Sequence, residues 1–155
     1  MAGNVILCGY LGICSFHDCR TGTVPVRLLY LGFFIGGIYA GIGLCAGWFS
    51  WKWILPAVLP GIMMVAYGRL TGGKLGEADG MMVIPAGLLQ GWERCTAEVI
   101  TACFLTCLYA MLLLLTGKGT RHTRIPFAPF LLAAVLLLWT AGSAWTGLSP
   151  DLYAR

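Results

Sequence analysis

The chain has 155 residues, of which 59% are hydrophobic and 10% charged, with a net charge of +4. A soluble domain carries about 25% charged residues, so this composition excludes a water-covered globule and points to an integral membrane protein. Ten basic residues spread along the chain form no run or stripe, which excludes the electrostatic footprint of a nucleic-acid binder.

The first apolar segment, about 3–16, is "GNVILCGYLGICSF". No basic n-region precedes it, so it is expected to belong to the mature bundle rather than to a cleaved signal peptide. It is marginal in length, since a span needs ~20 apolar residues. The second segment, about 26–47, is long enough and contains Gly32-xxx-Gly36, Gly37-xxx-Gly41 and Gly43-xxx-Gly47. Small residues at that spacing let helix backbones approach in lipid, so these glycines are expected to form a packing face rather than a ligand site. The third segment, about 51–70, also meets the length. A polar interruption, "LGEADG" at 75–80, separates it from a short fourth segment, about 80–92, which carries Pro85. The fifth and sixth, about 95–116 and 127–147, are again full-length. The expectation is a single all-α domain over 1–155, a polytopic membrane helix bundle of six transmembrane segments with a short fourth. A short element at membrane depth persists only when packed in protein or facing a wet cavity.

Basic residues distribute unevenly about these segments. Loops after the first, third and fifth hold Arg20, Arg27, Arg69, Lys74, Lys118, Arg121 and Arg124; the other side holds Lys52, Arg94 and Arg155. The excess of positive charge puts the odd-numbered loops in the cytoplasm and both termini outside. Trp48, Trp51, Trp53 and Trp145 then fall near span ends on the outer side, as an interfacial aromatic belt.

Of the seven cysteines, none forms a C-x-x-C pair, which argues against a zinc ribbon or a thioredoxin-like centre. Most lie inside apolar segments and behave as small hydrophobes. Cys14 and Cys19 flank a loop boundary, and packing is the default for them too. Two histidines, His17 and His122, stand far apart in sequence, and no carboxylate cluster joins them. Neither a metal nor a cofactor is expected.

The six acids are Asp18, Glu77, Asp79, Glu93, Glu98 and Asp151. Asp18 and Asp79 each stand at a membrane boundary on the same expected face. Two carboxylates held close cannot both ionise cheaply, so they share a proton and titrate as a unit. That is what aspartyl proteolysis requires: one carboxylate takes a proton from water while the protonated partner hydrogen-bonds the scissile carbonyl. The plainer readings are that Asp79 caps a helix and that Asp18 is a solvated loop residue paired with Arg20. A different class of function also fits two boundary acids: a non-catalytic scaffold or small transporter that binds a cation or proton at Asp18 and Asp79. A transporter often shows an internal repeat, and none is evident.

Local sequence favours the proteolytic reading. "HDCRTGTVP" resembles the first active-site segment of the type IV prepilin leader peptidases, and "GKLGEADGMM" resembles their second, the Gly-x-Gly-Asp motif. "RIPFAPFLLAA" is similar to the stretch that opens their last helix. The three occur in family order. Presenilin-like proteases share only the Gly-x-Gly-Asp element. The resemblance assigns Asp18 and Asp79 as catalytic and makes Gly76 the first motif glycine; Gly76, Glu77 and Ala78 are expected to bind or position substrate, with a merely solvated Glu77 as the plainer reading. It implies a multi-pass protein of the bacterial plasma membrane, with a cytoplasm-facing site that cuts a short basic leader from prepilin or pseudopilin precursors. Two departures stand out. Ala78 occupies the second motif glycine, where a positive φ or close backbone approach is the usual reason for glycine, and Pro25-Val26 replaces a Pro-Asn. The cysteine-containing cytosolic domain of long members is missing, so their N-methylating activity is expected to be absent.

Overall fold

Backbone among lipid tails must satisfy its own N–H and C=O groups within the segment, which makes helices of the apolar runs. The computed structural model of the chain describes residues 2–48, 50–71, 76–117 and 125–145. It forms α1 (Ala2–Thr21), α2 (Val26–Cys45), α3 (Trp51–Leu70), α4 (Glu77–Gln90), α5 (Trp92–Leu115) and α6 (Ala128–Trp145), with no strand among the described residues. The all-α, six-helix expectation holds. Helices α2 and α5 are each long and apolar enough to cross a membrane, while the apolar stretches of α3 and α6 are shorter. Large apolar side chains cover the outside of the bundle, among them Phe34, Ile38 and Ile42 on α2 and Ile100, Phe104 and Leu115 on α5. So extensive an apolar exterior suits lipid and not water.

Helix α1 runs past the expected end at 16 and closes at Gly22, whose φ of 65° takes the left-handed conformation open to glycine. The Gly22 N–H donates to the Asp18 carbonyl at 2.8 Å. Asp18 therefore sits on the last turn of a helix rather than in a loop.

Helix α4, at 14 residues, is about 21 Å long, short of the ~30 Å hydrocarbon core. Its position explains how it persists. It packs against α1, α2, α3 and α5, and Gly80, Met82, Val83, Pro85, Ala86, Gly87 and Leu89 are all buried. Backbone contact with α3 makes this enclosure possible. A Cβ added at Gly80 would lie 2.7 Å from the Val65 backbone nitrogen, and one at Gly87 would collide with the Ala57 carbonyl. The α2 glycines divide by face. Gly32, Gly36 and Gly43 are buried with Ala40, and Gly32 packs on the Tyr10 ring. Gly37 and Gly41 have nothing within 4 Å of an added Cβ, and Gly47, at φ 73°, lies just beyond the α2 C-terminus. The expected packing face is thus narrower than the full glycine pattern.

One residue, Gly91 (φ 89°, ψ 169°), both ends α4 and begins α5. At that end of the bundle Gly3 lies against the Leu89 carbonyl and the Tyr39 ring. At the opposite end the C-termini of α1 and α3 meet the N-termini of α4 and α6. Leu7, Leu11, Met82, Val83, Leu131 and Val135 fill the interior between the two ends.

Candidate active site

Asp18 is buried, with 7% of its surface exposed. Its Oδ2 accepts a hydrogen bond from the Ala128 backbone N–H at 3.2 Å. That amide is the first of α6, one of the donors that a helix cannot satisfy internally. The local sequence leaves it free for this use. The Phe127 carbonyl receives the N–H groups of Phe130 and Leu131, each at 3.0 Å, and Pro129 has no N–H to offer. The "PFAPF" stretch therefore presents a helix N-terminus, with its partial positive charge, to a carboxylate on α1. Sequence reading singled out this stretch but not its purpose, because a backbone donor has no residue signature.

Asp79 is the third residue of α4 and is half-buried. Its backbone N–H donates to the Gly76 carbonyl at 3.0 Å. Gly76 is the N-cap, and α4 begins without a side-chain cap hydrogen bond, so Asp79 is not spent on capping. The Gly76 dihedrals, φ −62° and ψ 120°, are open to any residue. Space is what glycine supplies: a Cβ there would lie 2.7 Å from Asp79 Oδ2 and would make the carboxylate shift. The carboxylate rests over the glycine.

Ala78 lies in the first turn of α4, half-buried and packed against the core. No described residue other than glycine has a positive φ. The departure from glycine at this position thus meets no left-handed backbone. Glu77 pairs with Arg69, with Oε2 3.6 Å from Nε. Both side chains are well exposed, so this pair contributes little stability. Arg20 does not pair with Asp18; its guanidinium stacks 4.9 Å from the centre of the Phe16 ring. His17 is exposed, and its carbonyl accepts the Thr21 hydroxyl at 2.9 Å.

The two aspartates lie within electrostatic reach of each other. Asp79 stands ahead of the apolar run 80–92, on the loop side. Burial pushes its carboxyl up to about 7, and the negative charge of Asp18 adds to the rise. Asp18 has a different setting: a backbone donor at a helix N-terminus. Asp79 is thus the member of the pair disposed to hold a proton near neutral pH.

Among the described residues no three His, Cys, Asp or Glu side chains gather as a metal-ligand set. All seven cysteines are free thiols, with Cys14 buried and Cys19 exposed. Trp48 and Trp51 are exposed. Lys74, Lys118, Arg121, His122, Arg124 and Arg155, and the side chains of Trp53 and Trp145, lie outside the described residues.

The sequence matches the type IV leader peptidase family over residues 5–115, a stretch that includes Asp18 and the 76–79 motif. No curated protein and no solved structure matches the chain.

Proposed function

The chain belongs to the type IV leader peptidase family, and from that premise we propose that Asp18 and Asp79 are the catalytic pair of its aspartic endopeptidase activity. A membrane-embedded prepilin-type leader peptidase is the general role. The proposal adds which residues act, where, and on what. The observation that carries it is the electrostatic asymmetry of the pair: Asp18 held on the α6 amide, Asp79 keeping its proton to about pH 7.

Asp18, ionised, takes a proton from a water molecule lying between the two carboxyls. The resulting hydroxide attacks the scissile carbonyl carbon, and Asp79 hydrogen-bonds the carbonyl oxygen as negative charge develops there. Collapse of the tetrahedral intermediate breaks the C–N bond, and the pair returns a proton to the leaving amine. Gly76 gives the Asp79 carboxylate room to adopt its position, Ala78 continues the helix beneath it, and Glu77 with Arg69 forms the polar edge beside it.

The substrates are prepilin-like precursors, cut where a short basic leader meets an apolar helix. The site faces the cytoplasm of a bacterial plasma membrane, and both termini lie outside. The excess of basic residues on the odd-numbered loops supports this sidedness. Co-expression with a prepilin-like precursor tests the reading. Leader loss is expected with the wild-type chain and is expected to vanish with Asp18→Asn and with Asp79→Asn. Normal cleavage by either variant sinks the assignment. A wild-type chain that assembles in the membrane but cuts no precursor supports a scaffold or transporter instead.

A further inference from the structure

A second buried carboxyl lies at the other end of α4, away from the aspartates. Glu98, on the second turn of α5, is 3% exposed. The side chain of Gln90, the last residue of α4, faces its carboxyl. Two acceptors of this pair remain without a donor: Glu98 Oε2 and Gln90 Oε1. A buried oxygen without a donor is costly, and two on adjacent side chains amount to a specific chemical gap.

A single proton closes it. We propose that Glu98 is protonated and forms a neutral acid–amide pair with Gln90: the amide NH2 donates to one carboxyl oxygen, and the carboxyl O–H on Oε2 donates to Gln90 Oε1. Both orphaned acceptors are then satisfied, and no net charge is buried. Arg94, one turn before Glu98, is exposed and lies within electrostatic reach of the carboxyl, but forms no ion pair with it within 4 Å. The Cys95 thiol donates instead to the Val83 carbonyl, at a sulfur–oxygen distance of 3.7 Å. Cys8, on α1, is the other titratable group facing this carboxyl.

The pair bridges the corner at Gly91, a single-residue joint with no side chain of its own to hold it. Gln90 ends the helix whose first turn carries Asp79, so the pair fixes α4 against α5. Glu98 is thus a positioning residue. That last consequence rests on the catalytic role proposed for Asp79; the protonation of Glu98 does not.

The chain has three glutamates, Glu77, Glu93 and Glu98, so carboxyl-13C-glutamate labelling isolates the test from every aspartate. In the full chain reconstituted in lipid, one of the three labelled carboxyls is expected to read as a protonated acid at neutral pH by infrared or solid-state NMR spectroscopy. Its signal should be absent in Glu98→Gln. Three ionised carboxyls in the wild type overturn the proposal, as does a protonated signal that survives in Glu98→Gln. Glu98→Gln replaces acid–amide by amide–amide hydrogen bonds, so it should melt at the wild-type temperature and cleave precursor at the wild-type rate. Glu98→Ala should melt several degrees lower. A Glu98→Gln variant as unstable as Glu98→Ala also contradicts the proposal.

Discussion

At the scale of single residues, the contrast between Gly76 and Ala78 separates two reasons for a glycine motif. Gly76 leaves the Asp79 carboxylate its position, since an added Cβ would lie 2.7 Å from Asp79 Oδ2 and displace it. Gly76→Ala is expected to cut leader cleavage at least tenfold while leaving the melting temperature near the wild-type value, because it displaces the acid and not the core. Ala78→Gly should leave cleavage near wild type and cost about 0.5–1 kcal/mol of stability, the usual effect of glycine inside a helix. The pair itself predicts a pH response. Asp79 has an ordinary value of 3.8 and is raised to about 7 in the fold. The working state needs the proton on Asp79, so cleavage should fall as pH rises through about 7. Linkage carries the same sign. Between 3.8 and about 7 the folded chain binds a proton that the unfolded chain has released, so this group lowers stability as pH rises. Asp79→Asn should remove that slope, as read from melting at stepped pH. The carboxylates were legible in the sequence because acids at a membrane boundary are few and the flanking motifs name them. The Ala128 amide was not, since any residue but proline supplies one.

At the scale of elements, the membrane itself explains why the helices could be read from hydropathy. Lipid leaves a spanning backbone no alternative to internal hydrogen bonding. The boundaries were less legible. The segment ending at 16 stopped where His17, Asp18 and Arg20 interrupt the apolar run, whereas the helix continues to Thr21, where Gly22 provides the turn. At α4 the helix starts at Glu77 rather than 80, since acids are favourable in a first turn. The α2 glycine pattern was legible as a packing signal, but the closest backbone contact lies elsewhere, between α3 and α4. Gly87→Ala should therefore destabilise the bundle by about 1–3 kcal/mol, because the Ala57 carbonyl it meets is backbone and cannot rotate away. Gly37→Ala, facing open space, should be neutral or slightly stabilising. Melting of the two variants in one detergent checks the contrast.

At the scale of the whole molecule, α1, α4 and α6 each contribute one component at the same end of the bundle: Asp18, Asp79 and a helix N-terminus. The short α4 is central to this arrangement. Its first turn holds Asp79, its last residue holds Gln90, and four other helices enclose it. A reporter that reads membrane side should place Gly117 and the α1–α2 turn in the cytoplasm and Gly47 outside. The opposite result would reverse the proposed sidedness but leave the pair intact.

The central claim is that Asp18 and Asp79 act as one proton-sharing unit, and a double-mutant cycle on the purified chain in lipid tests it most directly. Cleavage rates of one precursor would be compared for wild type, Asp18→Asn, Asp79→Asn and the double variant. Residues that act as a unit are strongly non-additive. Each single substitution is expected to lower the rate by about 10²–10⁴-fold, and the double variant to be no slower than either. A double variant slowed by the product of the two single effects would contradict the claim.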